Sequence, residues 1–171
     1  MFSEEHIKNR RKRIRELNNA WWFTHKLLGS RAKVVYGSVY NIPPEIGKVD
    51  VVTFGSILLH LRDPFLALQK AAALSPETMI ITEWRRRFPR FFCSHLFPAI
   101  IRKKIIDPLF NAPTFLPDPD KKSPWDTWWF LSPELIVRYL KILGFQKTKI
   151  SYHKQKFTNY KQPLFTLVGK K

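Results

Sequence analysis

Residues 37–64 read GSVYNIPPEIGKVDVVTFGSILLHLRDP, and this stretch decides how the rest of the chain is understood. It begins at the end of one strand and continues through a proline-containing loop into a second apolar strand, residues 49–56. A polar turn follows, and a helix opens at Asp63-Pro64. Aspartate is a good helix N-cap, and proline suits the first helical position because its missing N–H would have no helical partner there.

Working upstream, residues 32–39 (AKVVYGSV) have the β-branched character of a strand. The link at 40–48 contains Pro43 and Pro44 and cannot hold a helix. It is shorter than the usual crossover between parallel strands. Even so, eight extended residues reach about 26 Å. That is enough to run back along a strand while stepping over two positions of about 4.8 Å each. Before it, residues 3–28 form a predicted helix, capped by Ser3 with Glu4 and Glu5 in its first turn. Ile14, Leu17, Trp21 and Leu28 share one face, and Arg10, Arg11, Lys12, Arg13 and Arg15 occupy the other. That pattern more often marks a core helix with a charged outer face; the alternative is a helix lying on RNA or on a membrane.

Downstream, the helix over 64–74 carries Phe65, Leu68, Ala71 and Ala72 on its buried face, and residues 78–84 form the third strand. Residues 85–130 are an irregular, proline-rich insertion with a short helix predicted near 100–109. Insertions of this length are usually lids or binding loops. Ser132-Pro133-Glu134 starts another helix, with Leu135, Tyr139, Leu140 and Leu143 inward, which Gly144 ends. Residues 147–154 alternate in the manner of a strand, and 163–169 form the last one.

The run from Val49 to Pro64, together with the Gly-Ser-x-x-x-Ile-Pro turn at 37–43, resembles the nucleotide-binding core of class I (Rossmann-like) S-adenosylmethionine-dependent methyltransferases. The resemblance extends over residues 33–171. It implies an α/β fold: an incomplete methyltransferase sheet of about five strands, parallel with an antiparallel edge strand, flanked by helices and interrupted by the long insertion. The corresponding organisation is a basic amphipathic helix at 1–31, then a truncated methyltransferase domain at 32–171 with a lid-like insertion at 85–130. The family's strand order is 3-2-1-4-5-7-6, and the strands at 32–39 and 49–56 would have the first two strands between them.

The resemblance also implies S-adenosylmethionine as cofactor. Ser38, Val39 and Tyr40 match the turn beside the adenine, with Ser38 where many members have an aspartate that accepts a stronger hydrogen bond. Gly55 and Ser56 match the turn under the methionyl group; the alternative is that Gly55 only eases a tight turn. His60 follows as a candidate base or substrate contact, or as a hydrogen-bonded structural residue. Asp50 at the head of its strand reads as structural. Trp84 and Arg85 leave the carboxyl end of the third strand, where open α/β sheets bind ligands. With Arg86, Arg87, Trp125, Trp128, Trp129 and Phe130 they make a candidate cover that stacks on bases and holds phosphates, or else fill the core of the insertion. The segment Trp128-Trp-Phe-Leu-Ser-Pro, with Leu-Lys-Ile-Leu-Gly-Phe at 140–145, is distantly similar to methyltransferases of the tRNA wobble uridine.

Methyl transfer requires the donor to be held and the nucleophile aligned. In this family a glycine-rich turn after the first strand lets the backbone approach the cofactor, since only a residue without Cβ fits there. An acidic residue after the second strand holds the ribose. The six glycines here stand at 29, 37, 47, 55, 144 and 169, so no Gly-x-Gly occurs. The reading is therefore of the rear portion of an ancestral enzyme, with weak or no donor binding by this chain alone. Unpaired strand edges would then recruit a second copy or a complementing chain.

Thirty Lys and Arg against thirteen Asp and Glu give a net charge of +17, and no acidic residue follows Glu134. Such a field favours RNA or another polyanion. Methyl transfer to an RNA base or a small metabolite is the principal expectation. A non-catalytic RNA-binding module is one alternative. A peripheral membrane protein using residues 3–28 and 88–101 is the other. The single cysteine, Cys93, forms no internal disulfide and fits a reducing, cytoplasmic setting. No metal site and no transmembrane segment are expected.

Overall fold

The computed structural model describes residues 3–74, 77–85, 112–117, 127–156 and 158–171. The chain divides into two compact units, Met1–Gly37 and Ser38–Lys171.

The first unit is built on α1 (Glu4–Leu27). Ser3 caps it, its Oγ accepting the His6 N–H at 3.2 Å. After the helix, His25 Nε2 lies 2.8 Å from the Ala32 carbonyl. Within this unit no residue of α1 is buried. Residues 31–36 form no ladder either, and the only bridge nearby joins Ser38 to Asn41. The strand expected at 32–39 is thus not formed. A β-branched sequence makes a stable strand only beside a partner, and among the described residues none pairs with it.

The second unit holds a four-stranded sheet. Its strands are β1 (Val51–Gly55), β2 (Thr78–Trp84), β5 (Lys147–Lys156) and β6 (Lys161–Lys170), in the order β1-β2-β6-β5. β1 and β2 are parallel, in register Val51↔Thr78 to Gly55↔Thr82. β6 is antiparallel to both neighbours, pairing Ile81↔Leu167 with β2 and Ile150↔Leu167 with β5. Two further strands, β3 (Thr114–Phe115) and β4 (Trp129–Phe130), form a separate antiparallel pair within the insertion. Four strands rather than about five therefore make the main sheet, and β1 is its edge among the described residues. The predicted helix near 100–109 and the apolar stretch 88–101 lie outside the described residues.

Helices α2 (Pro64–Ala72) and α3 (Pro133–Ile142) cover one face of the sheet. They touch each other through Phe65 and Tyr139, whose rings stand edge to face at 4.7 Å. Asp63 caps α2, its Oδ1 accepting the Leu66 N–H, and Ser132 caps α3 through the Leu135 N–H. Both caps and both prolines fall where the sequence places them. The core beneath contains Phe54, Leu68, Met79, Ile81, Ile136, Leu140, Phe145, Phe165 and Leu167. Gly169 lets α3 come this close, because a Cβ there would sit 2.7 Å from Leu140 Cδ1. On the opposite face Val51 remains 48% exposed and Thr53 is also exposed. Sheets with parallel strands are normally covered on both sides. Here the covering helices lie on one side, among the described residues. None of the described helices is long and apolar enough to cross a membrane.

Candidate functional site

The site forms at the carboxyl end of β1 and β2. β1 ends at Gly55, and Ser56 then takes a left-handed backbone, φ +50°. A non-glycine residue seldom adopts that conformation without outside support. Support comes from β2, whose Thr82 carbonyl accepts the Ser56 N–H at 2.7 Å. Gly55 itself is not left-handed, and a Cβ at that position would meet nothing within 4 Å. The steric demand expected of Gly55 therefore falls on its neighbour, and Gly55 leaves open space at the strand end.

A single 3-10 turn, Leu58–His60, carries the chain on to α2. Leu58 and Leu59 are buried beneath it, while His60 is exposed at its end. From the other side the insertion grips the same turn. The Trp128 N–H donates to the Leu59 carbonyl at 2.8 Å, and Trp129 Nε1 donates to the Arg62 carbonyl at 3.0 Å. The Arg62 guanidinium lies 4.9 Å from the centre of the Trp128 ring, and Phe115 stacks edge to face on Trp129.

Ser38, Val39 and Tyr40 approach from the chain's upstream side. Ser38 Oγ accepts the Tyr40 N–H at 3.2 Å and its carbonyl accepts the Asn41 N–H, closing a tight turn. Val39 and Tyr40 pack against the hydrophobic core. The Tyr40 hydroxyl accepts the Asp63 N–H at 3.0 Å, which ties this turn to the start of α2. The structure thus ties the 38–41 turn to the start of α2 through Tyr40, and ties Trp128 and Trp129 to the segment 59–62 that leads from β1 into the same helix.

Trp84 and Arg85 behave differently. Trp84 is 46% exposed at the end of β2. The Arg85 N–H donates to the Pro163 carbonyl on β6, and its guanidinium lies 4.2 Å from the Tyr152 ring centre on β5. Arg85 is committed away from β1, because β6 and β5 lie on the far side of β2. The cover expected to join it with the tryptophans is not assembled by the described residues. Arg86, Arg87 and Trp125 lie outside them. The Asp50 carbonyl accepts the Thr78 N–H at 3.2 Å just ahead of β1.

Sequence reasoning missed Glu83. It is 2% exposed, and its Oε1 accepts the Leu58 N–H at 2.8 Å. Burial pushes its pKa up from 4.5 to about 7, against the opposing pull of the amides of Leu58, Leu59, Trp84 and Ile57. The signal was present: Met79, Ile81 and Glu83 alternate on the inward face of β2, so the third had to be buried.

The order β1-β2-β6-β5, with β6 antiparallel between its neighbours, is the 4-5-7-6 portion of the class I sheet. The N-terminal domain of EvdMO1, solved with SAH bound, matches with a TM-score of 0.52 at 16% identity, over 86% of this chain and 58% of that one. The same domain solved in the presence of SAH and D-fucose also gives 0.52, covering 59% of that chain. The fold is that of the class I methyltransferases. At this identity the likeness is one of fold, and the chain spans little more than half the length of the EvdMO1 domain. A SAM-dependent methyltransferase from Methanosarcina mazei aligns at 12% identity over 79% of this chain and 65% of that one, with a TM-score of 0.49. No protein-family model and no curated protein sequence matches the chain.

Proposed function

We infer that this chain carries the rear half of an S-adenosylmethionine-dependent methyltransferase site. Its acceptor is an RNA base or a small metabolite. The observation that supports this reading best is the Tyr40–Asp63 contact, which joins the 38–41 turn to the start of the helix that the 55–60 turn leads into. In this reading the Ser38-Val39-Tyr40 backbone lies beside the adenine and the Gly55-Ser56 backbone lies under the methionyl group. His60 stands at the acceptor side, where a base removes a proton from a weak nucleophile. Trp128 and Trp129 present indole faces for an acceptor ring, with Trp84 exposed at the end of β2, while Arg85, held against Tyr152, takes no part. The glycine cradle that would complete the donor site has no counterpart in residues 1–171, so methyl transfer by these residues needs completion beside β1 by a further segment, a complementing chain or a second copy.

Amide NMR during titration with S-adenosylhomocysteine tests the reading. We expect shifts confined to residues 38–40 and 55–60, without saturation below roughly 1 mM. Micromolar saturation would mean that the chain needs no complement. A titration that moves none of these amides would remove the donor site.

A second reading is favoured by α1, which carries Lys8, Arg10, Arg11, Lys12, Arg13 and Arg15 on a helix with no buried residue. In that reading the chain holds RNA electrostatically without catalysis, and binding is indifferent to S-adenosylhomocysteine.

A further inference from the structure

The turn after β1 closes two bonds of its own, His60 N–H to the Ile57 carbonyl at 3.0 Å and Leu61 N–H to the Leu58 carbonyl at 3.1 Å, which leave its first amides without an internal partner. The 3-10 turn Leu58–His60 has no side-chain cap from its own segment, and Ile57 before it has φ −117° and ψ −26°. The first N–H groups of any such turn lack internal partners. Ser56, one step earlier, is left-handed without being glycine. A segment of this kind, left to itself, would sample several conformations.

Two consecutive residues of β2 fix it instead. The Thr82 carbonyl holds the Ser56 N–H at 2.7 Å, and Glu83 Oε1 holds the Leu58 N–H at 2.8 Å. The nearby amides of Leu59 and Ile57 favour the charged form of the Glu83 carboxyl, against its burial. Below about pH 7 the carboxyl is mostly neutral and still offers an oxygen to the Leu58 N–H; above it the charged form makes the stronger bond but carries the cost of burial. Its location, 2% exposed on the core side of the strand, is costly for a carboxylate. An apolar residue would pack there at no such cost, but it would leave the turn's amides without an acceptor.

We propose that Glu83 is the positioning residue of this site: from β2 it caps the turn at 57–59 and so fixes the backbone between Ser56 and His60. Glu83 does not touch the donor or acceptor. It acts through the turn, holding the Gly55-Ser56 backbone and His60 in one arrangement before any ligand arrives. The Trp128 N–H on the Leu59 carbonyl closes the same turn from the insertion, so the turn is gripped at successive residues from two elements. The part of the proposal that concerns the donor rests on the function inferred above; the part that concerns the turn does not.

The test uses the full chain and two variants, Glu83→Gln and Glu83→Ala, with amide hydrogen exchange and S-adenosylhomocysteine titration as readouts. Glu83→Ala is expected to speed exchange at Ile57, Leu58 and Leu59 at least tenfold more than at Val52, Phe54 and Met79. Glu83→Gln keeps a carbonyl at the same reach but turns an amide donor toward other N–H groups. It is expected to preserve protection at Leu58 and lose it at Ile57 and Leu59, which keeps the proposal testable should the alanine variant fail to fold. Unchanged exchange across the turn would overturn it. So would an equal rise throughout β1 and β2, which would make Glu83 a contributor to the sheet alone. In the titration, the shifts at residues 55–60 are expected to shrink about tenfold in Glu83→Ala. Shifts of wild-type size in that variant would sever the turn from ligand binding. If S-adenosylhomocysteine moves nothing in the wild-type chain, the donor reading fails while the exchange data still decide the role of Glu83.

Discussion

The Tyr40 hydroxyl accepts the Asp63 N–H at 3.0 Å and thereby joins the turn at 38–41 to the N-cap of α2. This contact spans 23 residues of sequence. It links the upstream turn to the helix that follows β1. Tyr40→Phe removes the acceptor and keeps the ring packed on the core. We expect a loss of about 1 kcal/mol, read by urea denaturation, together with faster amide exchange at Asp63.

Gly169 sets how closely α3 can approach β6. A Cβ at this position would fall 2.7 Å from Leu140 Cδ1 and 3.2 Å from Phe145 Cβ. Leu140 and Phe145 are fully buried and have little room to yield. Gly169→Ala should cost about 1–3 kcal/mol through overpacking. The double variant with Leu140→Val should recover part of it, and a denaturation series that found no such coupling would contradict the packing described.

The buried Glu83 makes stability depend on pH in an unusual direction for a carboxylate. Its pKa is about 7 in the folded chain against 4.5 for the free group, with desolvation as the principal cause. The folded state thus binds the proton more tightly than the unfolded one. The contribution to stability is fully present below pH 4.5 and is lost as pH rises through about 7. At about 1.4 kcal/mol per unit, the loss is on the order of 3 kcal/mol. Denaturation of the wild-type chain and of Glu83→Gln across pH 4.5 to 8 should show their difference changing by this order in favour of the variant. A difference that stays flat would mean that Glu83 titrates normally.

If the basic surface holds RNA, binding must weaken steeply with salt. Replacing Arg10, Arg11, Lys12 and Arg13 by glutamine removes four candidate phosphate contacts from α1. The slope of log affinity against log salt should then fall in magnitude by about 3. Filter binding to tRNA at several salt concentrations measures it, and an unchanged slope would place RNA elsewhere on the chain.

The amino-acid sequence by itself determined the elements whose causes are local. The caps at Asp63 and Ser132 and the prolines after them determined the starts of α2 and α3, and the apolar run at 78–84 was legible as β2. The strand following Asp50 and the terminal hairpin were likewise legible from apolar period and turn chemistry. Residues 32–39 were misread because a strand exists only where another strand pairs with it, and sequence pattern cannot supply that neighbour. The burial expected of α1 was a tertiary matter for the same reason. Glu83 was decided by tertiary structure alone: its phase on β2 was visible, but the acceptor role arises only where the turn from β1 folds over it. Local sequence fixes backbone preference and facing. Long-range contacts decide which of those faces are covered and which charges are taken out of water.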